Sequence, residues 1–251
     1  MWSRAIPRES RRPLALSGAV PLVLACVAWF TAGCGGGGST ATSSAGAIVR
    51  QNETGFSPDA VIVAAAHTPG PWIPAESVRS IDSDLTRIRS SYPVLQRVHT
   101  NGKYILTELV VTVRRDSTWV KAWQQGKTLS GNSAIDSFLS TYNIAKVEPQ
   151  IDGLDNPWFI LRFGQSLKVE DLAAPLKQLS ADFLAVTPDY WNGGDNILLT
   201  EQGASRTYAF TYGWGDCPSG CISGHTWTVK LAQDGRMSMT ESGSALPNGA
   251  P

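Results

Sequence analysis

YILTELVVTVRRDSTWVKAWQQGKTLSGNSAIDSFLSTYNIAKVEPQ occupies residues 104–150, and IDGLDNPWFILRFGQSLKVEDLAAPLKQLSADFLAVTPDY continues it from 151 to 190. Its hydrophobic period changes repeatedly, and that change decides the fold. Leu109 to Val113 is β-branched and continuous, as in a strand. Ser117 stands where it can cap a short turn carrying Trp119, Val120 and Trp123. A clearer helix begins near Asn132 and Ser133, with Ser133 and Asp136 spaced as in a capping box. Ile135, Phe138, Leu139 and Tyr142 then fall on one helical face. Ile144–Ile151 and Trp158–Phe163 read as two strands joined by the turn-rich Asp152–Pro157. Val169, Leu172, Ala173, Leu176 and Leu179 mark another helix, which Pro175 is expected to kink or split. Phe183–Val186 closes the series as a strand.

Toward the C-terminus, residues 196–245 read as an antiparallel β-meander. Ile197–Leu199 is a short strand. Arg206 to Trp214 alternates, with Tyr208, Phe210, Tyr212 and Trp214 on one face and Thr207, Ala209 and Thr211 on the other. His225–Leu231 alternates in the same way and places Trp227 with Val229 and Leu231. Asp234-Gly235 is a hairpin turn before Met237 and Met239. Large apolar side chains on one sheet face form a core or an exposed platform. Tyr208, Tyr212, Trp214 and Trp227 are therefore candidates for a surface that binds a protein or a glycan. Residues 246–251 form a flexible tail.

Between the two long strands, Cys217 and Cys221 bracket a Gly- and Pro-rich loop. A disulfide pinning the loop tip is the first reading; so short a ring contributes only about 2 kcal/mol in the entropic account. Two others stand beside it. Asp216, Cys217, Cys221 and His225 offer donors for zinc, although C-x3-C-x3-H is not the usual finger spacing. A redox pair would ordinarily show CxxC at a helix start. In either case the loop with His225 would make a small enzyme or a thiol or metal site.

Toward the N-terminus, residues 51–103 read as an irregular segment with one helix, Asp82–Ser91, ending before Pro93. Val61–Val63 reads as a short strand. Three prolines between Pro69 and Pro74 exclude helix there. Residues 34–50 are a Gly/Ser/Ala tether after Cys34. Residues 1–33 have the anatomy of a signal peptide: a basic start, a short apolar run broken by Pro21, and small residues before Cys34. Cys26 lies inside that run.

Thr31-Ala32-Gly33-Cys34 resembles the lipobox of bacterial lipoproteins, with Thr31 where that family prefers Leu. The resemblance implies cleavage before Cys34, lipidation of Cys34 with diacylglycerol and palmitate, and anchoring to membrane lipid in the cell envelope. Gly35, in place of an Asp, points to the outer membrane, on its periplasmic or surface face. A plain secretory leader and an uncleaved anchor are the competing readings. Ser10-Arg11-Arg12-Pro13-Leu14 resembles a twin-arginine motif and leaves the Sec and twin-arginine routes both open.

The order strand, helix, strand, strand, helix, strand over 104–195 is that of ferredoxin-like βαββαβ folds. It resembles the propeptide or inhibitor module of subtilisin-type proteases, which implies protease inhibition as a further activity. The expected class is α+β: a ferredoxin-like core, then a β-meander with a short disulfide loop.

The whole chain balances 21 basic against 21 acidic side chains. Loss of the leader removes more basic than acidic groups, so the remainder is mildly acidic. No basic field is present to hold nucleic acid. No phosphate loop, HExxH or GxSxG occurs, and no cofactor motif is seen. The expectation is a non-catalytic binding module on a membrane-anchored lipoprotein.

Overall fold

A computed structural model describes residues 55–100, 104–150, 155–190, 194–217 and 220–251. They lie in the unit Ser44–Pro251. The leader, Cys34 and the tether to residue 50 fall outside the described residues, as do residues 152–154 of the turn expected at Asp152–Pro157.

The class is α+β with two antiparallel four-stranded sheets and a Cys217–Cys221 disulfide. The first sheet holds β1 (Tyr104–Val113), β2 (Ile144–Gln150), β3 (Trp158–Phe163) and β4 (Phe183–Tyr190) in the order β2-β3-β1-β4. Leu109, Val111 and Val113 alternate onto one face and meet Phe159, Leu161 and Phe163 of β3. That face is covered by α3 (Val120–Gln124), α4 (Ser133–Thr141) and α5 (Glu170–Gln178). Ile135 and Leu139 of α4 and Leu172 and Leu176 of α5 are fully buried there. Each such side chain contributes about 1.5–3 kcal/mol of burial.

The helix ends differ in detail from the sequence expectation. Asn132, not Ser133, caps α4, accepting from the N–H groups of Ala134 and Ile135. Asp136 reaches back instead to Ser130 and Gly131, tying down the preceding loop. Pro175 neither ends nor divides α5. In so short a helix it removes only one N–H bond, and its ring stays exposed.

The other face of this sheet carries charge. Arg162 pairs with Glu108 on β1 and with Glu148 on β2, which also receives Lys146. Hydrogen bonds from Lys146 and Arg162 lower the Glu148 carboxyl below its ordinary range. Glu108 goes the other way, because burial outweighs the nearby Arg162.

The second sheet holds β5 (Asn196–Gln202), β6 (Ser205–Trp214), β7 (Ser223–Leu231) and β8 (Met237–Gly243) in sequence order, each antiparallel to the next. Its cover comes from the other end of the chain. The described part of the segment expected to be irregular with a single helix, residues 55–100, is instead largely helical. It forms α1 (Pro58–His67), α2 (Ala75–Ser91) and a 3-10 turn, Pro93–Arg97. The strand expected at Val61–Val63 lies inside α1. Ser57 caps α1 and Pro58 opens it, so a helix start overrode the short β-branched run. Val78, Ile81, Leu85 and Ile88 of α2 then pack on Ile197, Tyr208, Phe210, Trp227 and Val229. Two cores result, one under each sheet.

Candidate functional site

The aromatic stripe of β6 divides along its length. Tyr208 and Phe210 are wholly buried under α1 and α2, and so is Trp227 on the neighbouring strand. As surface candidates, Tyr208 and Trp227 are therefore corrected: they are core. The Tyr208 hydroxyl donates to Asp84 on α2, 2.8 Å away, and burial raises its phenol well above the ordinary value. Arg206 joins the same carboxylate at 3.0 Å and reaches Ser80. A cavity of about 360 Å³ opens beside them, between α2 and two hairpin turns, but Asp84 and Arg206 are already paired across it.

Beyond Phe210 the stripe leaves its cover. Tyr212 and Trp214 are half-buried and stack with centroids 5.7 Å apart. Tyr212 still touches the core, and Trp214 stands nearer the loop tip. His225 pairs across from Tyr212 and lies against Trp227, with ring centroids 4.5 Å apart. Its Nδ1 is 3.0 Å from the Ser244 carbonyl and its Nε2 is 3.4 Å from Glu241.

The tip itself is held by the Cys217–Cys221 disulfide. Both sulfurs lie close over the backbone of Gly194 and Gly213. A Cβ on Gly194 would stand 2.8 Å from the Cys217 sulfur, and one on Gly213 would stand 2.6 Å from that of Cys221. Glycine is needed at both positions for this close approach. With both sulfurs in a disulfide, neither is a thiolate, so they do not supply zinc ligands or a dithiol. His225 is turned to Ser244 and Glu241 rather than to Asp216. Among the described residues no group of three or more His, Cys, Asp or Glu is placed to hold a metal.

Neither a family model, nor a curated protein, nor a solved structure matches this chain.

One network was not legible in the sequence. Asp59, in the first turn of α1, is buried, with only 4% of its surface exposed. Its Oδ2 accepts from Arg89 Nη2 at 2.6 Å and faces His99 Nδ1 at 2.9 Å, while Oδ1 accepts from the Thr100 N–H at 2.8 Å. Thr100 continues to Asn196 at the start of β5, and Asp195 accepts from the backbone of His99 and Gly213. The chain of contacts runs from the helices to the glycines under the disulfide. Residues 59, 89, 99 and 195 share no motif spacing, so only the fold brings them together.

Burial raises the Asp195 carboxyl above its ordinary value, against the two backbone bonds and His99. A raised folded-state value means that the ionised form is disfavoured in the folded protein. The favourable contribution is full below the unfolded value of about 3.9 and is lost as pH rises through the folded value. Asp195→Asn is therefore expected to raise the melting temperature at pH 7, with the difference closing as the pH falls toward about 3.9. Thermal unfolding of both proteins across that range checks it; a variant less stable at pH 7 would contradict the sign.

Proposed function

We propose that this chain is an exported, membrane-anchored lipoprotein whose folded unit is a binding module for a protein or glycan of the cell envelope. The Tyr212–Trp214 stack at the disulfide-pinned tip is its contact surface. The observation that carries this reading is the division of the stripe: Tyr208, Phe210 and Trp227 are buried in the core, whereas Tyr212 and Trp214 are only half-buried, beside a tip held by a disulfide and two close-packed glycines. An aromatic face fixed before binding costs little ordering when a ligand docks. The Thr31–Cys34 resemblance and the glycine tether support anchoring through lipid on Cys34, at the outer membrane. Among the described residues no helix is long and apolar enough to cross a membrane.

Two measurements test the two halves. Intact mass of the native protein should correspond to a chain starting at Cys34 with acyl groups added. A species retaining Met1, or one starting at residue 34 without acyl groups, overturns the anchor. Co-sedimentation with isolated wall glycan and photo-crosslinking from position 214 test the surface. Trp214→Ala should weaken retention by on the order of tenfold or more, the size of an aromatic hot spot. Unchanged retention together with no cross-linked protein would remove the surface.

We also infer a ferredoxin-like plan for residues 104–190. It is supported by the order β2-β3-β1-β4, in which β3 separates β1 from β2 and β1 separates β3 from β4. That order favours a second reading, a protease inhibitor-like module. A subtilisin-type protease left fully active by excess protein would dismiss it.

A further inference from the structure

Each sheet has two edge strands, and three of these four edges carry a feature that resists strand addition. β2 contains Pro149, a register shift beside Ile144 and the exposed Lys146. β4 contains Pro188 and pairs with β1 through two register shifts. β5 lies under α1, where His67 Nε2 approaches the Leu199 carbonyl oxygen to 2.6 Å. β8 has no such device. Its seven residues, MSMTESG, include no proline, lysine or arginine, and its register with β7 runs unbroken from Met237 to Gly243.

The free backbone groups of β8 follow from its two ends. The Ala232 N–H donates to the Arg236 carbonyl, and the Ser244 N–H donates to that of Gly224, both at 2.9 Å. In an antiparallel ladder of this register, the even-numbered residues of β8 exchange their bonds with β7. The N–H and C=O groups of Met237, Met239 and Glu241 therefore point outward from the sheet. Among the described residues no backbone bond reaches them from elsewhere.

We propose that β8 pairs antiparallel with β8 of a second copy of this chain, about a two-fold axis beside Met239, joining two four-stranded sheets into one of eight. The strand is complementary to itself in this register. Met239 faces the partner's Met239, so two half-buried apolar side chains cover each other. Met237 faces the partner's Glu241, so like charges are not set in opposition. Ser238 faces the partner's Thr240, a hydroxyl pair of the kind Thr211 and Thr226 already make at 3.0 Å. A two-fold contact closes at two copies and leaves no further β8 edge open, which a head-to-tail addition would not do.

Sedimentation equilibrium of the full-length chain in excess detergent tests the pairing, and the wild type is expected as a dimer. Ser238→Glu combined with Thr240→Glu sets carboxylates against each other on both sides of the axis. Within one chain the same change places one carboxylate opposite Lys230 and the other opposite Thr228, so the fold should tolerate it. Dimerisation should weaken by on the order of tenfold, with the melting temperature of the monomer unchanged. Ser238→Glu combined with Thr240→Lys sets opposite charges there, keeps the carboxylate opposite Lys230 and should restore the dimer. A wild type that stays monomeric at its highest soluble concentration, or a dimer indifferent to both pairs of changes, overturns the proposal. A monomer that takes up an extended foreign peptide along β8 also overturns it, in favour of strand addition by another protein.

Discussion

Replacing Asp59 by alanine should lower the unfolding free energy by about 3–5 kcal/mol, the usual cost of breaking a buried ion pair from one side. The Arg89 side chain is only 16% exposed and its shortest bond is to this carboxylate. Its remaining contacts are the carbonyls of Val98 and Leu95, which satisfy hydrogen bonds but not charge. The same substitution leaves the Thr100 N–H without its acceptor and frees His99. Asp59→Asn keeps an oxygen for Thr100 while removing the charge, so it should lose less. Urea unfolding separates the two: the midpoint moves in the order wild type, Asn, Ala, with unchanged slope. An alanine variant within about 0.5 kcal/mol of wild type, the range of ordinary surface substitutions, would show that the network is ornamental.

Trp123→Ala should cost about as much, roughly 3–5 kcal/mol, through a different mechanism. Trp123 is completely buried and meets Trp119 and Phe159 edge to face, at 5.0 and 5.3 Å between centroids. Truncation leaves a void under the first sheet that rigid aromatic neighbours refill poorly. Its Nε1 has no hydrogen-bond partner among the described residues. Trp123→Phe therefore gives up no bond and should cost clearly less than alanine. If phenylalanine proved as damaging as alanine, a lost polar contact rather than volume would be responsible. Near-ultraviolet circular dichroism together with urea unfolding reads both variants.

These two residues also mark how far the sequence could be read. Trp123 sits in a segment whose helical spacing was visible, and the helix formed close to where it was expected. The alternation of Tyr208, Phe210, Tyr212 and Trp214 likewise announced a strand. Alternation says which side chains share a face but not what lies over that face. Asp59 belonged to a stretch with weak periodicity, where Ser57-Pro58 was a helix start easily passed over in favour of the β-branched Val61–Val63. Its partners, Arg89, His99 and Thr100, are 30 to 41 positions distant.

The strands and helices of the first sheet and its cover, the meander after them and the cysteine-bracketed loop between β6 and β7 were legible in the amino acids alone. Those follow from hydrophobic period, turn residues and short-range spacing, which act over a few positions. That α1 and α2 cover the C-terminal sheet, and hence that Tyr208 and Trp227 are core while Trp214 is not, emerges only once the chain is folded. The reason is physical: burying an apolar face requires a partner surface of matching shape, and that surface is supplied by residues more than a hundred positions away, which no local pattern encodes.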